Sequence, residues 1–167
     1  GRHEEAISRF QQYLDKNPNG KLKEDAIFKI GLCWLDLKDQ GQALAAFSQL
    51  LDATGYFRQE ARFNIAEIAR ELGNHPLAIQ HYKAITAEEP NHPLASKARR
   101  AAGISLYASG DFKAAIEALS AILKDYPATD AAIPETRLWL GKSLIASGEV
   151  DNGILEILKV PVLYPGN

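Results

Sequence analysis

The chain has 167 residues, 46% apolar and 24% charged, with a formal net charge of -2, which excludes the disordered, fibrous and membrane classes. Near-neutrality argues against a nucleic-acid partner, since the one basic cluster, Lys97, Arg99 and Arg100, reads as the solvated face of a helix. Apolar runs such as Ala43-Leu44-Ala45-Ala46-Phe47 are far shorter than the roughly 20 residues a membrane span needs, so no membrane insertion is expected.

Taken in chain order, Glu4 to Lys16 is predicted as a helix with Ala6, Phe10 and Tyr13 on one face and Pro18 beyond its end. The same small-then-bulky pattern returns as Ala43, Phe47, Leu50; as Ala78, Tyr82, Ile85; as Ala115, Leu119, Ile122; and as Gly153, Ile157, Val160. The small positions lie 37, 35, 37 and 38 residues apart. Twelve residues before the last four of them stands another small residue, Gly31, Ala66, Gly103 or Gly141. Each unit therefore has two helical halves, and the turns between halves read from Gly73-Asn74-His75-Pro76, Ser109-Gly110-Asp111 and Ser147-Gly148-Glu149. Asn74 and Asp111 are placed as N-caps. Pro18, Pro90, Pro127 and Pro165 end the units, while Gly55 stands where the second unit lacks its proline.

The apolar spacing is helical throughout, as in Ala115, Ile116, Leu119, Ile122 and Leu123, so the fold class is all-α: antiparallel helical hairpins in a single array. The boundaries fall at 1–20 (the second helix of a truncated repeat), 21–56, 57–91, 92–128 and 129–167. The small residues are expected where the two helices of a hairpin approach most closely. Gly153 costs about 1 kcal/mol against Ala inside a helix, so the last hairpin is expected to be the loosest. Pro161 is expected to end or kink that helix near Lys159. An array that opens on a second helix and closes without a polar cap reads as a piece of a longer one.

Reactive chemistry finds no foothold. His75 and His81 fall on opposite faces of a helix, and His75-Pro76 and His92-Pro93 read as residues that begin helices, so no metal site is expected. No phosphate-binding glycine loop or nucleophile turn occurs, and Glu88-Glu89 reads as solvated charge, so neither catalysis nor a cofactor is expected. The single Cys33, inside Ile30-Gly31-Leu32-Cys33-Trp34-Leu35, reads as a small core residue.

The paired halves, with Gly or Ala at the crossing and then Ala, an aromatic and a terminal Pro, resemble the tetratricopeptide repeat family. That resemblance implies a right-handed α-solenoid and a scaffold that binds a partner peptide or protein segment in a concave groove lined by the first helix of each repeat. In the family's register the groove residues are Phe28, Leu32, Phe63, Asn64, Glu67, Arg100, Ile104, Tyr107, Trp139 and Lys142. Phe28, Phe63, Arg100, Tyr107 and Trp139 are the candidate anchors. Phe28, Phe63 and Trp139 have the alternative of packing between hairpins.

This chain departs from the pattern at several places. Leu119 and Ile157 replace the second-helix aromatic, and Ile27, Arg62, Arg99 and Arg137 replace the first-helix one, which leaves that packing layer unexplained. Of the Lys/Asn/Arg clamp that some members use for chaperone tails, only Asn64 and Arg100 match. The long linkers after Tyr126-Pro127, followed by Trp139-Leu140-Gly141, with Tyr164-Pro165 repeating the ending, resemble bacterial envelope proteins such as the periplasmic partner of the Tol-Pal system. A periplasmic or envelope location is therefore expected, with the cytoplasm as the alternative. Two other roles stay open: an arm of a larger enzyme, and self-association through Val160, Val162 and Leu163 of the last hairpin.

Overall fold

The computed structural model describes residues 1–53, 56–127 and 129–165. Gly55 thus lies outside the described residues, as do Ala128 at a predicted repeat boundary and the last two residues. All regular structure among the described residues is helical. Contacts divide the chain into two units, Gly1–Leu72 and Gly73–Asn167. The division passes through the third predicted repeat, whose first helix closes one unit and whose second helix opens the next.

The first unit holds α1 (Arg2–Lys16), α2 (Lys23–Asp36), α3 (Gln40–Ser48) and α4 (Tyr56–Glu71), each packed on the one before it. Ile27 of α2, Ala43, Phe47 and Leu50 around α3, and Ala61, Ile65 and Ile68 of α4 form its core. Gly31 shows why a small residue is needed, though its partner is not the small residue of α3. A Cβ at Gly31 would stand 2.5 Å from the Phe47 ring. The glycine is the hole into which the aromatic knob fits, so burial of a full ring is gained without separating the helices.

The second unit holds α5 (His75–Glu88), α6 (Ala95–Ala108), α7 (Phe112–Asp125), α8 (Ile133–Ala146) and α9 (Val150–Leu163). Leu119 and Ile122 pack against Ile133, Leu140 and Leu144. Gly103 receives Leu119 as Gly31 receives Phe47, with a Cβ there 2.6 Å from the leucine side chain. In the α8–α9 hairpin both crossing residues are glycine, and a Cβ on either would stand 2.6 Å from the other's carbonyl oxygen. Gly153 is thus not a loose spot, as its helix propensity suggests, but a requirement of close backbone approach.

The hairpin turns share one geometry. Gly110 (φ 82°) and Gly148 (φ 99°) occupy the left-handed region that favours glycine, as does Gly73 (φ 76°), and Lys38 (φ 63°) does the same between α2 and α3. The next residue's N–H reaches back five positions, from Asp39 to Trp34 (2.9 Å), Asp111 to Leu106 (3.0 Å) and Glu149 to Leu144 (2.8 Å). Asp39, Asn74 and Asp111 then cap the following helix through N–H donation from Gln42, Leu77 and Ala114.

Two of the linkers that lengthen the repeats are built from two successive tight turns, from Asn17 through Gly20 to Lys23 and from Glu89 through His92 to Ala95, and in the next one the Ile133 N–H reaches the Asp130 carbonyl. His92, buried in its linker, accepts the Leu94 N–H on Nδ1, the helix-starting part its place before Pro93 implies. Pro161 does not stop α9, which runs on to Leu163. Proline removes one backbone donor, but the Tyr164 N–H still reaches the Val160 carbonyl at 2.9 Å and closes the last turn.

Arginine fills the layer where the first-helix aromatic is missing. Arg99 bonds Asp125 at 2.6 Å and lies over the Tyr126 ring at 5.5 Å. Thirty-eight residues on, Arg137 bonds Glu156 at 2.7 Å and lies near the Tyr164 side chain. Each guanidinium therefore ties the first helix of its hairpin to the acid and Tyr-Pro end of the second. Ile27 is simply part of the apolar core.

Candidate peptide-binding site

In the first unit the expected groove positions fall on the touching helices α2 and α4. Phe28 lies 5.5 Å from Phe47 and 5.4 Å from Phe57, ring centre to ring centre, and so packs between hairpins. Phe63 is buried, at 6% exposure, and has little surface to offer a ligand. Leu32 is accessible at 39%. Asn64 turns its amide back onto the Glu60 carbonyl (2.8 Å), and Glu67 holds Arg70 (2.7 Å). This face presents one apolar side chain among polar groups already engaged locally.

The second unit gathers its expected residues more tightly. Tyr107 of α6 and Trp139 of α8 meet edge to face, with centroids 5.4 Å apart at 61°. Phe112 adds a third ring, its centroid 5.5 Å from that of Tyr107. Lys142, one turn beyond Trp139 on α8, places its ammonium 4.1 Å from the indole centroid. Glu135, one turn before it, accepts the indole N–H at 3.3 Å and pairs with Arg100 at 3.2 Å. Ile104 is half-buried between Arg100 and Tyr107 on α6.

Helical spacing explains the arrangement. Positions 135, 139 and 142 fall on one face of α8, and positions 100, 104 and 107 on one face of α6. Trp139 also packs on the core cluster of Leu119, Ile122, Ile133, Leu140 and Leu144, so its position is fixed by the same core that holds the hairpin. Arg100 is mostly buried, and its Nε has no hydrogen-bond acceptor among the described residues. Glu135 and Phe112 were not singled out in the sequence, although the i, i+4 spacing of Glu135 and Trp139 was available as a signal.

Cys33 is half-buried rather than fully enclosed. Burial pushes its thiol upward and the nearby Asp36 carboxylate adds to the rise, which makes it a poor nucleophile. Among the described residues no three His, Cys, Asp or Glu side chains gather as a metal site, and no helix is long and apolar enough to cross a membrane.

The tetratricopeptide repeat model matches residues 1–56, 35–93 and 100–167. The chain belongs to the tetratricopeptide repeat family. No curated protein matches it by sequence. Among solved structures, MamA residues 41 to the end from Desulfovibrio magneticus RS-1 superposes with TM-score 0.78 at 15% identity, over 99% of this chain and 89% of that one. YrrB, described as a TPR protein with an unusual peptide-binding site, gives 0.77 at 14% identity over 99% and 80%. TPR-like repeats assigned to a Podosopora anserina kinesin light chain give 0.75 at 14% identity over 98% and 87%. At these identities the likeness shows the fold, the all-α tetratricopeptide solenoid, whose members are generally interaction scaffolds.

Proposed function

We propose that this tetratricopeptide repeat chain binds an extended peptide segment of a protein partner on the α6–α8 face, taking an apolar or aromatic side chain beside an acidic one. The observation that carries the reading is the Tyr107–Trp139–Lys142 arrangement, two aromatic rings at an angle with an ammonium over one of them. Aromatic rings held rigid by a core lose little entropy on binding and serve as anchors. Lys142 supplies the charge that an acidic group on the peptide meets, whereas Arg100 is already matched by Glu135.

Selection from a random peptide library against the chain tests this directly. Enrichment of peptides that combine an apolar or aromatic residue with an acidic one, and an affinity loss of about tenfold in Lys142→Glu, supports the site. Enriched peptides that bind Lys142→Glu and Tyr107→Ser as well as the native chain, with helicity unchanged, overturn it.

An envelope location is part of the same reading, and the Tyr-Pro linkers with the Trp139-Leu140-Gly141 triplet support it by their likeness to envelope repeat proteins. Immunoblotting of periplasmic and cytoplasmic fractions of the source cells is the test. Recovery with a cytoplasmic marker sinks the location and leaves the peptide site standing.

A further inference from the structure

The outward side of α9 carries an apolar stripe that the repeat itself does not explain. Leu155, Leu158 and Val162 are 57%, 56% and 76% exposed. Counted in the repeat register, they stand where α3 has Ala45, Ser48 and Asp52 and where α7 has Glu117, Ser120 and Lys124. Those positions stay exposed, or half-buried for Ser120, although α4 packs on α3 and α8 on α7. The apolar residues next to these positions that pack on the core are Leu44 and Leu51 in the first unit and Ile116 and Leu123 in the second. Their counterparts on α9 are Ile154 and Pro161. Another hairpin added in register would cover that pair and leave the stripe bare.

We infer that the outer stripe of α9, Leu155, Leu158 and Val162, is a self-association surface that pairs antiparallel with the same helix of a second copy. The spacing of three and then four residues is that of a helix–helix seam. Charge selects the occupant and the direction. The N-terminal end of α9 carries Glu149 and Asp151, and its only basic residue, Lys159, stands toward the other end beside Glu156. An antiparallel copy sets Leu155 against Leu158 of its partner, in both directions at once. The same pairing brings the acidic end of each helix to the Lys159 end of the other, whereas a parallel copy stacks like on like. A helix lying on lipid needs basic residues along its polar flank, and α9 has one.

Sedimentation velocity of the whole chain across a wide concentration range is the test. The expected result is a reversible monomer–dimer equilibrium, weakened at least about tenfold by Leu158→Glu with no change in helicity or melting temperature. Asp151→Lys weakens the dimer, and Leu155→Cys chains mixed with Leu158→Cys chains under mild oxidation cross-link to each other in preference to themselves. A chain that remains monomeric at the highest concentration overturns the proposal, as does a dimer indifferent to Leu158→Glu. Self-linked chains in excess of the mixed product overturn the antiparallel pairing.

Discussion

The carbonyl oxygen of Gly141 and the α-carbon of Gly153 face each other so closely that a methyl group added to Gly153 would stand 2.6 Å from that oxygen. Here the pair replaces the hole-and-knob solution of Gly31 with Phe47 and of Gly103 with Leu119.

Gly153→Ala is therefore expected to destabilise the chain although it raises helix propensity. The gain of about 1 kcal/mol is outweighed by overpacking of about 1–3 kcal/mol, made worse because the obstructing atom is backbone. Gly41→Ala is the control, since a Cβ there meets nothing nearer than the Asp39 carboxylate at 3.5 Å. That substitution should stabilise by about 0.5 kcal/mol. Urea unfolding of the two variants checks the contrast, and equal gains in both would dismiss the backbone contact.

Lys38 supplies the second test. It holds φ 63° where the other described turns use glycine. The left-handed region costs a residue with a Cβ about 1–2 kcal/mol, partly offset by the extra unfolded-state freedom of glycine. Lys38→Gly should stabilise the first unit by about 0.5–1 kcal/mol. A lower unfolding midpoint in urea would mean that the lysine side chain contributes something the turn geometry does not show.

What the sequence disclosed and what it concealed divide along physical lines. The small crossing residues, the caps at Asn74 and Asp111 and the helix-starting role of His92 were legible because glycine, Asx and X-Pro chemistry act locally. Lys38 was not, because a strained lysine has no compositional signature. Nor were the Arg99–Tyr126 and Arg137–Tyr164 pairs, whose partners lie far apart in sequence and meet only once the hairpin folds. The apolar spacing on α9 announced a helix without revealing which of its residues face inward. Val160 turned out half-buried, and the stripe lies on Leu155, Leu158 and Val162. Of the candidate site, the aromatic identity of Tyr107 and Trp139 was visible, but their contact depends on how α6 and α8 meet.

Glu156 makes the last hairpin acid-sensitive. Burial opposes its charge, but hydrogen bonds from Lys159 and Arg137 outweigh that and hold its carboxyl below the usual carboxylate range. A folded value below the unfolded one stabilises the chain fully above the ordinary carboxylate pKa, about 4.3, and the contribution is lost as pH falls through the folded value. Glu156→Gln should cost about 1.5–3 kcal/mol at neutral pH and almost nothing at strongly acidic pH, where the native carboxyl is itself protonated. Unfolding midpoints at the two pH values test this, and a penalty that is the same at both would remove the ion pair as its cause.

Cys33 offers a test that needs no unfolding. Burial and then Asp36 raise its thiol, so at neutral pH it holds less thiolate than a free cysteine and should react more slowly with iodoacetamide. The rate should climb as pH passes above the usual thiol range, following the thiolate fraction. Asp36→Asn removes one of the two causes and should accelerate labelling at neutral pH while leaving the alkaline plateau unchanged. Slow labelling at every pH would point to steric closure by the half-buried site instead, because enclosure lowers the plateau whereas a raised pKa only moves the curve.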